Sequence, residues 1–210
     1  MNRIELKTNA KAQNSGKIGI LFVITLIIAA ISGAAGGVLS FAGPVGSLAI
    51  SIIITPAFAL SIVRVYLNLF HGQKPEVKDA FSGFDDFWSA FKVQFLVGLF
   101  TFLWSLLFII PGIVKAYSYS MSLYILAENK EKPALECINE SKSMTNGHKM
   151  DLFVLDLSFL GWALLGIITF GIAYIYVIPY INATYTNAYQ SLKPVVVEPA
   201  AAPEQDPFAY

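Results

Sequence analysis

The sequence has little charge and almost no cysteine. Charged residues make up 13% of its 210 residues, and none occurs between residues 18 and 63. Soluble globular domains carry about 25% charged residues, so this composition argues against a soluble fold. The single cysteine, Cys137, excludes a disulfide framework and a CxxC-type metal or redox motif within the chain. Apolar residues are abundant instead: they make up 56% of the sequence, and the mean hydropathy is +0.62.

Long apolar stretches predict the fold class. A membrane-spanning helix requires roughly 20 apolar residues, and the chain has six stretches near this length. We therefore predict an all-α polytopic membrane protein, with six transmembrane helices arranged as three hairpins and with cytoplasmic helices at the membrane interface. The predicted spans are residues 18–42, 47–70, 93–110, 113–127, 152–169 and 172–189, and a Gly/Pro turn at residues 43–46 separates the first two. A cleaved signal peptide is the alternative for the first span.

Positive charges predict the orientation. Lysine and arginine are concentrated before span one, between spans two and three, and between spans four and five. The positive-inside rule then places both termini in the cytoplasm of a multi-pass cell-membrane protein, and only Lys115 falls on the outer side. Residues 1–192 form a single predicted membrane domain. Residues 193–210 are a predicted disordered cytoplasmic tail, because this Pro- and Ala-rich segment has too little apolar surface to fold.

Two parts of the chain resemble each other. Trp104 is followed by Ser-Leu-Leu-Phe-Ile-Ile, Trp162 is followed by Ala-Leu-Leu-Gly-Ile-Ile, and Pro75 corresponds to Pro133 at the same offset. Each proline opens a short segment ahead of a predicted hairpin, and residues 2–16 fit a degenerate third copy.

The short segments that open the repeats differ in polarity. In residues 75–92, large apolar side chains recur at helical spacing, which predicts one helix lying in the membrane interface. Residues 133–147 are more polar, and we expect that helix to dock on protein. The apolar positions of the first segment are Val77, Ala80, Phe81, Phe84, Trp88 and Phe91.

Several segments together resemble a known family. They are Trp104–Ser120 (WSLLFIIPGIVKAYSYS), Tyr124–Glu128, Ala134 to Lys149 with Ser141 and Gly147-His148, and Trp162 with Pro179-Tyr180. Over about residues 3–192 the chain resembles the bacterial integral membrane family catalogued as domain of unknown function 975. More distantly, it is similar to the membrane portion of some glycerophosphodiester phosphodiesterases, without their catalytic domain. The resemblance implies a multi-pass plasma-membrane protein of a Gram-positive bacterium, and it transfers no functional residues because the family has no established activity.

Two charged residues lie inside predicted spans. Arg64 belongs to span two and Asp156 to span five. At about 1.5 Å per residue, Arg64 lies roughly 10 Å from His71 and Asp156 roughly 8 Å from Asp151, so their depths match. Intramembrane charges are costly unless they pair, face a cavity or snorkel. We predict an Arg64–Asp156 ion pair. The alternatives are a proton or ligand site, and independent snorkelling or hydration of the two side chains.

Spans four and six each carry a polar face at helical spacing. These faces predict either helix packing sealed by side-chain hydrogen bonds or a cavity for a polar or amphiphilic ligand. The residues are Tyr117, Ser120, Tyr124, Tyr176, Tyr180, Thr184 and Asn187.

The sequence lacks the motifs of the common catalytic sites. His71 and His148 do not have HExxH spacing, and the chain contains no Walker loop, GxSxG elbow or dinucleotide fingerprint. We expect a non-enzymatic scaffold or accessory subunit, without a cofactor or bound metal, that contacts membrane lipid and a membrane-protein partner but no nucleic acid. The alternative is a small transporter for an amphiphilic or peptide-like solute.

Overall fold

A computed structural model describes residues 2–39 and 43–193, and these residues form helices joined by short connections. Within those two ranges there are ten α-helices and one 3-10 helix, and no strand, which confirms the all-α prediction. In chain order they are α1 Arg3–Asn14, α2 Ile18–Leu39, α3 Gly43–Phe70, the 3-10 helix Val77–Phe81, α4 Phe87–Leu107, α5 Ile109–Tyr119, α6 Ser122–Glu128, α7 Ala134–Met144, α8 Lys149–Leu157, α9 Leu160–Ile168 and α10 Tyr174–Leu192.

The centre of the bundle is formed by α3 and α10. Helix α3 packs against α2, α4, α6 and α10, while α10 also packs against α1, α2 and α9. The C-terminal half of α10 is buried on nearly all sides, and Thr184, Ala188 and Tyr189 are at most 1% exposed. A helix that is buried all round belongs to the interior of a bundle.

A short helix followed by two or three further helices occurs three times in the described ranges. Helix α1 precedes the α2–α3 pair, the 3-10 helix precedes the α4–α5 pair, and α7 precedes α8, α9 and α10. This order matches the predicted repeat, including its N-terminal copy.

Two described segments are long and apolar enough to cross a membrane. They are Phe87–Leu107 and Lys149–Ile168, and the second consists of α8 and α9 with only Ser158 and Phe159 between them. A third is obtained if α1 and the first part of α2, which meet at an angle of 91°, are taken as one broken span. Gly16 makes that bend with a φ of 73°, a conformation that glycine adopts without steric cost.

The predicted turn at residues 43–46 is wrong, because these residues form the first turn of α3. Pro44 is compatible with this position, since the first N–H groups of a helix have no partner within the helix. Residues 40–42, the end of predicted span one, and residues 194–210 of the predicted tail lie outside the described ranges.

Predicted span four is not a continuous helix. Helix α5 ends at Tyr119 and α6 begins at Ser122. The break is stabilised from α7, where the Ser141 hydroxyl accepts a hydrogen bond from the Met121 N–H at 3.1 Å and donates one to the Ser118 carbonyl at 2.9 Å. Backbone groups freed from a helix are tolerated at depth when protein groups satisfy them. Helix α7 therefore docks on protein, as predicted for the second short segment.

The predicted single interfacial helix over residues 75–92 is also wrong. The chain forms the 3-10 helix, turns, and starts α4 at Phe87. At the turn the Gly83 N–H donates to the Ser61 hydroxyl at 2.8 Å, and a Cβ atom on Gly83 would lie 2.8 Å from the Ser61 backbone nitrogen. This close approach to α3 requires a glycine and interrupts the helix.

Candidate functional site

Arg64 is the buried centre of an ionic cluster at one end of the bundle. It lies on α3, is 8% exposed, and bonds through Nη2 to the Asp86 carboxylate at 2.5 Å and through Nη1 to the Ser82 carbonyl. Lys130 lies 3.4 Å from the same carboxylate. Burial opposes the charged form of Asp86, but the hydrogen bonds and charges of Arg64 and Lys130 outweigh it and lower the pKa of this carboxyl below its usual value.

The predicted Arg64–Asp156 ion pair is wrong. Arg64 takes its acidic partner from the residue directly before α4, and Asp156 is bonded to tyrosines. The physical reason is the length of the arginine side chain, which reaches out of the apolar part of α3 to the connection ahead of α4. Asp86 was not among the predicted site residues. A carboxylate just ahead of an apolar helix, where the helix dipole favours negative charge, was the signal for it.

Asp156 lies on α8, half-buried between α5 and α10. Its Oδ2 accepts a hydrogen bond from the Tyr117 hydroxyl at 2.8 Å, and its Oδ1 accepts one from the Tyr185 hydroxyl. Phe153 packs edge-on against the Tyr117 ring at a centroid distance of 6.1 Å. Two neutral donors therefore satisfy the carboxylate. No pattern in the sequence indicated Tyr185, because this residue lies beside the predicted polar face of α10 and not on it.

Glu128 forms a second carboxylate contact with α10. It accepts hydrogen bonds from the Tyr189 hydroxyl at 2.8 Å, from Gln190 at 3.1 Å and from Lys193 at 2.6 Å. Tyr124 stacks on Tyr189 with 5.1 Å between ring centroids. These contacts connect the end of α6 to the end of α10.

The residues predicted to line a polar cavity contact several different elements. Tyr117 bonds to Asp156 on α8, Tyr124 stacks on Tyr189 of α10, and Ser120 donates to the Tyr117 carbonyl at 2.9 Å. Within α10, the Thr184 hydroxyl donates to the Tyr180 carbonyl at 2.7 Å.

The remaining predicted cavity residues contact α9 and α1. The rings of Tyr176 and Tyr180 lie 6.2 and 6.0 Å from Trp162. Asn187 exchanges two amide hydrogen bonds with Gln13, at 3.0 and 3.2 Å. Five of the seven predicted cavity residues thus contact another helix, whereas the hydroxyls of Ser120 and Thr184 bond to carbonyls three and four residues earlier in the chain.

Cys137 is a buried thiol on α7. Burial raises its pKa to about 11, so the thiol stays protonated and weakly nucleophilic at neutral pH. Across residues 2–39 and 43–193, no group of three or more His, Cys, Asp or Glu side chains is arranged to hold a metal ion.

An all-helical bundle with two or three helices of membrane-crossing length defines the structural class of this protein. The chain belongs to the family described as "Protein of unknown function (DUF975)", whose model matches residues 1–118 and 106–195. The two matches together cover residues 1–195. No curated protein and no solved structure shows a significant match to the chain.

Proposed function

We propose that this chain is an integral membrane protein that crosses the bilayer six times and acts without catalysis, as a scaffold or accessory subunit for a membrane-protein partner. The observation that carries the proposal is the apolar exterior of two hairpin ends within the described ranges. At the α4–α5 turn, Phe108, Ile109 and Ile110 are at least 73% exposed, and at the α9–α10 turn Phe170 is 99% exposed. Contiguous apolar surface of this kind mediates membrane or protein contact.

Helix lengths support six crossings, although among the described residues only two or three segments are both long and apolar enough to cross a membrane by themselves. Helices α2, α3 and α10 contain 22, 28 and 19 residues, and each runs beside a neighbour in a hairpin. Helices α5 and α6 together cross the membrane in the direction opposite to α4. The distribution of lysine and arginine supports cytoplasmic termini.

An aromatic surface at the start of α4 supports a scaffolding role. We define it as Phe81, Phe84 and Trp88, which are 44%, 41% and 68% exposed. Phe58 of α3 packs edge-on against Phe84 at 5.1 Å, which fixes part of this surface in place. Exposed aromatic side chains on a rigid support are frequent anchors of protein interfaces.

The experiment compares two variants of the full chain purified from membranes in mild detergent. Phe84→Ser with Trp88→Ser alters the aromatic surface, and Ile4→Ser is the control at another exposed apolar side chain, 79% exposed on α1. We expect one partner protein at fixed stoichiometry with the wild type and the control, and its loss from the double variant. Solute-dependent flux by the purified chain in sealed proteoliposomes would contradict the scaffold proposal.

A small transporter for an amphiphilic or peptide-like solute is the second candidate, and Asp156 favours it. Carboxylates inside apolar helices are common in proton and substrate pathways. In that case Asp156→Asn would abolish the flux, and the aromatic-surface variant would leave it unchanged.

A further inference from the structure

A shallow basic cavity of about 340 Å³ lies where α7 meets α8. It is lined by Asn139, Lys142, Ser143, Asn146 and Lys149, so every lining side chain carries a hydrogen-bond donor and two carry positive charge. Neither Lys142 nor Lys149 forms an ion pair with an acid anywhere in the described ranges. This composition suits an anion with several oxygen acceptors.

An apolar track on α8 leads away from the cavity. Lys149 is the first residue of α8 and of the membrane-length segment Lys149–Ile168. Phe153 and Leu157 follow it at intervals of four residues, so they share its helix face, and they are 41% and 55% exposed. The anionic cavity and the apolar surface therefore follow each other along the same helix.

We propose that this corner binds an anionic phospholipid. Its phosphate lies between Lys142 and Lys149, the neutral donors of α7 bind the remaining headgroup oxygens, and an acyl chain runs along Phe153 and Leu157. This inference rests on the membrane placement given under Proposed function. The apolar track distinguishes the lipid from a free phosphate ion, for which Phe153 and Leu157 offer no favourable contact. The location at the start of a predicted cytoplasmic-side span fits the anionic inner leaflet.

The test uses the full chain in neutral detergent and follows thermal unfolding by tryptophan fluorescence. The additions are phosphatidylglycerol, phosphatidylcholine or inorganic phosphate. The main variant is Lys142→Gln with Lys149→Gln. The matched control, Lys74→Gln with Lys78→Gln, removes the same charge from exposed positions before and within the 3-10 helix.

We expect phosphatidylglycerol, but neither of the other additions, to raise the unfolding temperature of the wild type and of the control. In the main variant, half of the maximal rise should require roughly 25-fold more phosphatidylglycerol, since each of the two lysines near an anionic headgroup contributes about fivefold. Leu157→Gln should also weaken the response. Lys142→Gln alone, at an exposed position, gives the same readout with a smaller effect if the double variant is unstable.

The proposal would be overturned if phosphatidylglycerol raised the unfolding temperature of the main variant as it does that of the wild type. Equal stabilisation by inorganic phosphate would identify a soluble anion as the ligand and would also overturn it. Alkaline carbonate extraction of cell membranes distinguishes a failure of the proposed membrane insertion from a failure of the proposed lipid site. Release of the chain into the soluble fraction contradicts membrane insertion, whereas retention without a response to phosphatidylglycerol contradicts only the lipid site.

Discussion

At the scale of single residues, the buried charges have separate partners. Arg64 depends on Asp86, and Asp156 depends on Tyr117 and Tyr185. Removing one member of a buried polar contact leaves the other without its partner, which costs more than the contact itself contributes. Substitutions at the partners therefore test the local structure sharply.

Asp86→Asn should destabilise the protein by about 2 kcal/mol, because it removes the acid that neutralises buried Arg64. Asp85→Asn is the control, since Asp85 is exposed and forms no ion pair within the described ranges. Thermal unfolding in detergent measures both variants.

The pH dependence of the same unfolding measurement follows from the lowered pKa of Asp86. Its stabilising contribution is complete above the ordinary carboxyl pKa and is lost as the pH falls through the lower folded-state value. Below that range, wild type and Asp86→Asn should become equally stable. A constant difference down to strong acid would show that the charge of Asp86 is not the cause.

Arg64→Gln and Asp156→Asn should have additive effects on unfolding free energy, because the two residues share no partner. Asp156→Asn and Tyr185→Phe should instead be non-additive, because they remove the same hydrogen bond, with a coupling of about 1 kcal/mol. A double-mutant cycle in detergent measures both couplings. Strong coupling between Arg64 and Asp156 would instead support the ion pair that was predicted from the sequence, and it would contradict the structure.

At the scale of helices and turns, two points of close packing determine where helices stop. Ser141 of α7 satisfies the break between α5 and α6, and Gly83 allows the chain to approach α3 before α4 begins. Both depend on a small residue that lies close to another helix.

Ser141→Ala should destabilise the protein by about 1–3 kcal/mol, because it leaves the Met121 N–H and the Ser118 carbonyl with fewer buried partners. Ser143→Ala on the exposed side of the same helix should change stability little when no lipid is added. Equal losses of unfolding free energy in the two variants would mean that the break between α5 and α6 does not depend on Ser141.

Gly83→Ala should destabilise the protein and Gly98→Ala should not. A Cβ atom on Gly83 would meet the backbone of α3, whereas one on Gly98 has open space within 4 Å. Gly98 lies inside α4, where alanine favours the helix by about 1 kcal/mol. Thermal unfolding of the two variants gives the comparison, and a stable Gly83→Ala protein would show that the turn can move away from α3.

Sequence reasoning reached the helical class, the three-part order of elements and the docking of α7, because these follow from hydropathy and from Pro and Gly positions. It missed the breaks after Tyr119 and after Phe81, since each is stabilised by a residue distant in sequence or on another helix. The prediction of the Arg64–Asp156 ion pair failed for a similar reason. Depth along a helix is readable from residue counting, but the direction in which Arg64 extends depends on the neighbouring connection.

At the scale of the whole molecule, the proposed orientation predicts which positions are reached from outside the cell. A cysteine at Phe170, which is 99% exposed at the α9–α10 turn, should react with a membrane-impermeant thiol reagent added to intact cells. A cysteine at Ser143 should react only after the cells are lysed. The native Cys137 is buried and should contribute little background. Labelling at Ser143 in intact cells would reverse the orientation.

The first and last described helices are held together. Helix α1 packs against α10, and Gln13 bonds to Asn187, 174 residues later in the chain. During synthesis, α1 therefore leaves the ribosome long before its partner exists. Contacts with such a long sequence separation form late and slow folding. The surface of α1 that packs against α10 stays uncovered until α10 has been synthesised, so an insertion factor or chaperone that protects it can act throughout that interval.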